Sequence, residues 1–109
     1  DISPATKGHA LILPKEHYAD IYEMDEELAA RAMKLARKLA IRMTKTLGCE
    51  GFNIVQNNGE LAGQTVFHFH MHLIPRYSDD EQRIGWNPTS PSEMELDKIM
   101  DALRAVQSD

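Results

Sequence analysis

The sequence predicts an α+β domain: an antiparallel sheet carries a histidine-rich strand, a long helix packs on the sheet's apolar face, and a second helix follows at the C-terminal end. Three observations carry this expectation. From Phe67 to Ile74 histidine and apolar residues alternate. In a strand that alternation puts His68, His70 and His72 on one face and Phe67, Phe69, Met71 and Leu73 on the other. From about Asp25 to Thr46, Leu28, Ala32, Leu35, Ala36, Leu39 and Met43 recur at spacings of three and four, a core-facing helical stripe. Between these segments, Gly51 to Asn57 alternates like a strand and runs into Asn57-Asn58-Gly59-Glu60, whose Asn and Gly residues suit a turn because they tolerate positive φ.

The remaining elements follow in order. His9 to Pro14 is a short apolar run between Gly8 and Pro14 and reads as a strand. Pro14 to Asp20 connects it to the helix. Asp25, Glu26 and Glu27 stand where a helix N-terminus favours negative charge, and Lys34, Arg37, Lys38, Arg42 and Lys45 stand toward the end that favours positive charge. Gly48 ends the helix. Leu61 to Gln64 continues the loop, and Thr65 to Pro75 is the histidine strand, ended by Pro75. Tyr77 to Pro91 is polar, rich in Asp, Pro and Ser, and reads as irregular; Trp86 within it is a candidate for shaping specificity or for simple packing. Ser92 with Glu95 three residues on forms a capping box. It opens a last amphipathic helix with Met94, Ile99, Met100, Leu103 and Val106 along one side.

Length and composition narrow the function. With 109 residues the chain reads as one domain spanning 1–109. The apolar fraction of 42% and charged fraction of 27% are ordinary for a globular protein. A net charge of −5 argues against a nucleic-acid polymer or an anionic membrane as partner, so the basic residues of the helix read as a solvated face. No apolar run approaches the roughly 20 residues of a membrane helix, and no signal peptide is visible. The single cysteine, Cys49, has no partner for an internal disulfide and reads as an inert, partly buried thiol. That fits a reducing, cytoplasmic setting. Asp1-Ile2-Ser3-Pro4 opens without an initiator Met and reads as the tail of a strand entering a turn.

The histidine run carries the chemistry. At about 3.3 Å per residue, His68 and His70 have Cα atoms about 6.6 Å apart, and His68 and His72 about 13 Å. Two neighbours could share one zinc, but three could not reach a single ion. A row of this length better matches an extended substrate such as a phosphate chain. Gly63-Gln64-Thr65 ahead of the strand offers close backbone approach, an amide and a hydroxyl, and Asn57 adds an amide across the turn. Neutral donors of this kind suit phosphate oxygens. Arg76 after the strand is a candidate for a surface ion pair.

These residues resemble the histidine triad (HIT) family. His68-x-His70-x-His72 followed by Leu73-Ile74 matches its signature, Gly63-Gln64-Thr65-Val66-Phe67 its lead-in, and Asn57-Asn58-Gly59 its Asn-containing turn. Asp1-Ile2-Ser3-Pro4 and Gly8 to His17 resemble its upstream segment. The likeness spans about residues 1 to 77. It implies a HIT-like antiparallel sheet and nucleotidyl hydrolase or transferase chemistry on a nucleoside phosphoryl substrate. His70 would be the nucleophile at the α-phosphorus, forming a nucleotidyl-histidine intermediate. His72 would contact the phosphate and assist the leaving group. Asn57, Gln64 and Thr65 would hold phosphate oxygens, His9 and His68 would belong to the same histidine network, and the Asp1 carboxylate would take the ribose hydroxyls. A homodimer is implied, and a purine nucleotide is the expected partner.

Two departures qualify what the likeness implies. The family's domain begins further upstream, with strands that help to form the base pocket. Many bacterial members also carry a Cys-x-x-Cys pair that binds structural zinc together with histidines matching His17 and His68. This chain has neither, so no cofactor is expected to be required and zinc is supported only if such a pair lies upstream. Leu73-Ile74-Pro75-Arg76 leans toward dinucleoside polyphosphate hydrolysis of the bacterial type, with nucleoside phosphoramidate hydrolysis as the alternative. A nucleotide-binding sensor without catalysis and a metal-bound structural domain are readings of a different class.

Overall fold

A computed structural model describes residues 3–106. The elements run β1 (Ala10–Ile12), α1 (Glu26–Leu47), β2 (Gly51–Val55), one turn of 3-10 helix (Glu60–Ala62), β3 (Met71–Arg76) and α2 (Glu93–Ala105). The sheet has the order β1-β3-β2 and is antiparallel throughout, so β3 is its central strand. The register sets Leu11 and Val55 on either side of His72, and Ala10 and Ile54 on either side of Leu73. The expected α+β architecture is therefore present.

Helix α1 forms where its caps and stripe place it. The Asp25 side chain accepts the Leu28 N–H at 3.1 Å, Glu26 and Glu27 fill the first turn, and Gly48 closes the helix in the left-handed region at φ 67°. Ala32 and Ala36 are buried against the sheet, flanked by Leu39 and Met43. These small residues let the helix approach Phe69, Met71 and Leu73, which form the core with Ile12. Leu35, expected in the stripe, is 45% exposed. It sits at the helix edge, beside an apolar recess of about 170 Å³ between α1 and β1.

The histidine segment differs from expectation in where its strand begins. Burial alternates as expected from His68 to Leu73, with Phe69, Met71 and Leu73 buried and the histidines half-buried. Ladder pairing, however, starts only at Met71, and residues 65–70 are irregular. The neighbours run out there: β1 pairs only as far as Ile12↔Met71 and β2 only as far as Val55↔His72. Pro14 then removes a donor on one side, and the 56–59 turn leads the chain away on the other. Phe67, expected on the apolar face, is accordingly 56% exposed.

Pro75 does not end the strand as expected; β3 includes it and continues to Arg76. Extension of the β1 register would place Gly8 opposite Pro75, where β1 has not yet begun. No ladder donor is needed from Pro75 on that side, and its carbonyl accepts the buried Thr6 hydroxyl at 2.6 Å. Gly8 is favoured by its φ of +87°, in the left-handed region, and a Cβ there would also come within 2.5 Å of Leu47 Cδ1 and push that side-chain end aside.

Residues 77–92 are irregular and α2 follows, with the Ser92–Glu95 capping box formed in both directions. No residue of α2 is buried. Its apolar stripe is exposed, Ile99 and Leu103 at 57% and 66%. The radius of gyration is 16.9 Å, against about 13 Å for a compact domain of about 100 residues. No helix among the described residues is long and apolar enough to cross a membrane.

Candidate active site

The pleat of β3 turns His72 to the same side as the preceding His70, and the two rings meet nearly edge to face with centroids 4.9 Å apart. His9, immediately before β1, closes on His72 from the neighbouring strand, with ring centroids 5.1 Å apart. Three of the expected histidines thus form one cluster.

Hydrogen bonds fix the proton positions. His70 Nδ1 lies 2.8 Å from the His68 carbonyl oxygen. A carbonyl only accepts, so Nδ1 carries the proton and the Nε2 lone pair of neutral His70 is available. His9 Nδ1 accepts the Ala5 backbone N–H at 2.8 Å. Its other nitrogen, Nε2, meets His72 Nδ1 at 2.9 Å. Burial first, then the neighbouring His70 and His9, pushes the His72 pKa below its ordinary 6.5, and burial does the same to His9. The pair is therefore held toward its neutral form.

His68 departs from the row. Its Nε2–H donates to the Pro14 carbonyl at 3.1 Å, and its ring packs edge to face on His17 with centroids 5.2 Å apart. The carbonyl of His68 serves His70 while its ring joins His17. Two imidazoles supply half of the four ligands of a structural zinc. Among the described residues no group of three His, Cys, Asp or Glu side chains gathers to hold a metal. The described residues do not complete a zinc site.

The loop donors separate into two kinds. Gln64 is 2% exposed. Its Oε1 accepts the Gly59 N–H at 2.8 Å, and Nε2 donates to the Ala19 and Val66 carbonyls at 2.6 and 3.1 Å. Both amide hydrogens are engaged within the protein, so the side chain shapes the loop, and the sequence carries no signal that distinguishes this from a phosphate contact. Thr65, by contrast, is exposed, and Asn57 is half-buried. The Asn57 amide lies against Gly63, whose absent Cβ would stand 3.5 Å from Asn57 Nδ2. With φ at +100°, Gly63 lets the chain turn over that amide into the histidine segment.

An apolar recess of about 300 Å³ opens beside the cluster, walled by Leu11, Leu13, Val66, His68 and His70. Arg76, expected as an ion-pair residue, forks onto Asp80 at 2.9 and 3.1 Å and reaches Asn53 at 2.8 Å. It locks β2 to the chain leaving β3. Cys49 is buried as expected, with its Sγ 3.5 Å from Thr44 Oγ1. Trp86 is 86% exposed and so does not pack. Asp1 lies outside the described residues. Sequence reasoning missed the Ala5 N–H and the Asn58 side chain. Asn58 pairs reciprocally with the Gln56 amide and accepts the Ile21 N–H at 2.7 Å. A backbone donor has no residue signature, and Asn58 reads simply as turn chemistry.

Residues 1–79 match the HIT domain family model. Adenosine 5'-monophosphoramidase hnt1 of Schizosaccharomyces pombe is 42% identical over 97 residues, covering 86% of this chain and 70% of the yeast protein. The crystal structure of a member of the HIT family from Bacillus subtilis superposes with a TM-score of 0.90 at 36% identity, covering 100% of this chain and 79% of that one. A zinc-bound histidine triad family protein from Mycobacterium smegmatis gives 0.71 at 33% identity, covering 96% and 74%. With the family model matching residues 1–79, most of the 109 in the sequence, and the histidine cluster in place, this chain belongs to the HIT family.

Proposed function

We propose that the protein hydrolyses a nucleoside phosphoryl substrate through a covalent nucleotidyl-histidine formed on His70. The carrying observation is the 2.8 Å bond from His70 Nδ1 to the His68 carbonyl. It keeps the proton on the far nitrogen and the Nε2 lone pair available to attack phosphorus, with no deprotonation needed. In the first step the Nε2–Pα bond forms and the bond from Pα to the leaving group breaks. The His72 N–H supports the bridging atom as negative charge collects there. In the second step water attacks Pα, the P–N bond breaks, the water's proton passes to solvent, and nucleoside monophosphate leaves.

Asn57, Thr65 and nearby backbone N–H groups hold the phosphate oxygens in this reading, while Gln64 keeps the loop in shape around them. The apolar recess beside His70 accommodates the nucleoside, and the Asp1 carboxylate the ribose hydroxyls. The segment Leu73-Ile74-Pro75-Arg76 favours a dinucleoside polyphosphate. The hnt1 relationship favours an adenosine phosphoramidate as the second reading. The protein acts in the cytoplasm as a homodimer, without a required cofactor. The open outer edge of β2, with Ile54 exposed, supports pairing with a second copy, and sedimentation analysis measures it.

The test is His70→Ala assayed on diadenosine polyphosphates and adenosine phosphoramidates. Turnover is expected to fall about 10³-fold or more, while calorimetric binding of AMP is retained. Rapid acid quench of the wild type followed by intact-mass measurement should show one nucleotide bound to the protein. Full activity in His70→Ala overturns the mechanism. Tight AMP binding without turnover of any substrate by the wild type points instead to a sensor.

A further inference from the structure

A contact between two neutral imidazoles can be drawn either way round, because each ring nitrogen can carry the proton. The His9–His72 pair has a feature that removes this freedom. The Ala5 backbone N–H points at His9 Nδ1 from 2.8 Å, and a backbone N–H only donates. Neutral His9 must then carry its proton on Nε2. That N–H is 2.9 Å from His72 Nδ1, so it donates there, and neutral His72 must keep its own proton on Nε2. The opposite arrangement would point a His9 Nδ1–H at the Ala5 N–H.

We propose that the main-chain N–H of Ala5 is a positioning group that sets the tautomers of His9 and His72, so that His72 presents an N–H donor at Nε2. The inference rests on the reading of His72 as the group that supports the leaving atom, and it names what prepares His72 for that task. The donor is held firmly. The Ala5 carbonyl accepts the Gln82 side-chain amide at 3.0 Å. Thr6, the next residue, is buried and bonded to the Pro75 carbonyl at 2.6 Å. The Lys7 carbonyl accepts the Tyr77 hydroxyl at 2.8 Å, and Gly8 fits against Leu47 and Pro75. Four consecutive residues are thus stitched to the end of β3 or the chain just beyond it. The end of β3 and the chain that leaves it hold the donor that orients His72.

The experiment reads proton positions directly by ¹⁵N NMR of the imidazole rings in substrate-free protein, above the pH at which the rings protonate. In the wild type, His9 and His72 should both show the Nε2–H tautomer. Scalar couplings should connect the Ala5 amide nitrogen to His9 Nδ1 and His9 Nε2 to His72 Nδ1. Ala5→Pro removes the N–H. It is expected to give a mixture of tautomers at His72 and about a tenfold lower kcat, with little change in KM; Ala5→Gly keeps the N–H and should match the wild type. An Nδ1–H tautomer on His72, or an absent Ala5–His9 coupling, in the wild type overturns the proposal even if Ala5→Pro does not fold. A folded Ala5→Pro that keeps pure Nε2–H tautomers also overturns it. Since the tautomers are read without substrate, a fixed tautomer in a protein with no turnover refutes the proposed function alone. Turnover through His70 with a mobile tautomer refutes this inference alone.

Discussion

His70 and His72 are alike in sequence and separated by one residue, yet a single acceptor makes them chemically different. His70 faces a carbonyl with Nδ1, which leaves the lone pair on its outer nitrogen. His72 faces another imidazole. The same contrast divides Gln64 from Thr65. Gln64→Ala would strand the half-buried Gly59 N–H and Ala19 carbonyl that the buried amide now satisfies, and release the carbonyl of exposed Val66. One unsatisfied buried group costs about 1–3 kcal/mol. A drop in the thermal midpoint is expected, accompanied by loss of activity as the loop loosens. Thr65→Val removes only an exposed hydroxyl. It should leave the midpoint unchanged while lowering kcat, by about tenfold if the hydroxyl contributes one phosphate hydrogen bond. Thermal melts alongside steady-state kinetics separate the two; a destabilised Thr65→Val would refute the assignment of that side chain to substrate.

At the scale of elements, α1 and α2 show that an amphipathic pattern specifies a helix without specifying what it packs on. Both have the expected caps and stripe. The α1 stripe meets the β3 core, whereas that of α2 is exposed throughout. Helix α2 therefore draws more of its stability from local terms, the capping box among them. Ser92→Ala should cost about 1 kcal/mol of helix stability. It should lower the helical circular dichroism signal without shifting the unfolding midpoint of the sheet and α1. A midpoint that falls with the helical signal would show that α2 is coupled to the body. Strand β3 carries the converse lesson. The period-two pattern is present from Phe67, but pairing begins at Met71, because a strand extends only as far as its neighbours do.

For the whole molecule, the depressed His72 and His9 pKa values link protonation to folding. In the unfolded chain both histidines titrate at about 6.5; in the folded protein they bind protons only at lower pH. The unfolded state thus holds more protons between the two values, and stability falls as pH drops below about 6.5. Their contribution is complete above that pH and fully lost below the folded pKa. Asp80, held well below the usual carboxylate range by its hydrogen bond to Arg76 and the Tyr77 and Gln82 N–H groups, stays ionised across this window. Thermal midpoints measured from pH 7.5 down to pH 5 should decline for the wild type and decline less for His72→Asn. Equal slopes would show that His72 is not the group responsible.

What depends on short range is legible in the residues themselves: the α1 caps, its Ala32 and Ala36 face, the Ser92–Glu95 box, and the alternation that buries Phe69, Met71 and Leu73 opposite the histidines. Each follows from residue identity at a fixed helical or strand spacing, so no distant contact is needed to read it. Tertiary structure decided which groups meet each imidazole. His68 pairs with His17 across 51 positions of chain, and His72 with His9 across 63. Only the folded protein closed Gln64 onto Ala19 and set the Ala5 N–H against His9. An imidazole's role is set by what meets its two nitrogens, and those partners here are main-chain groups and rings brought from far along the chain.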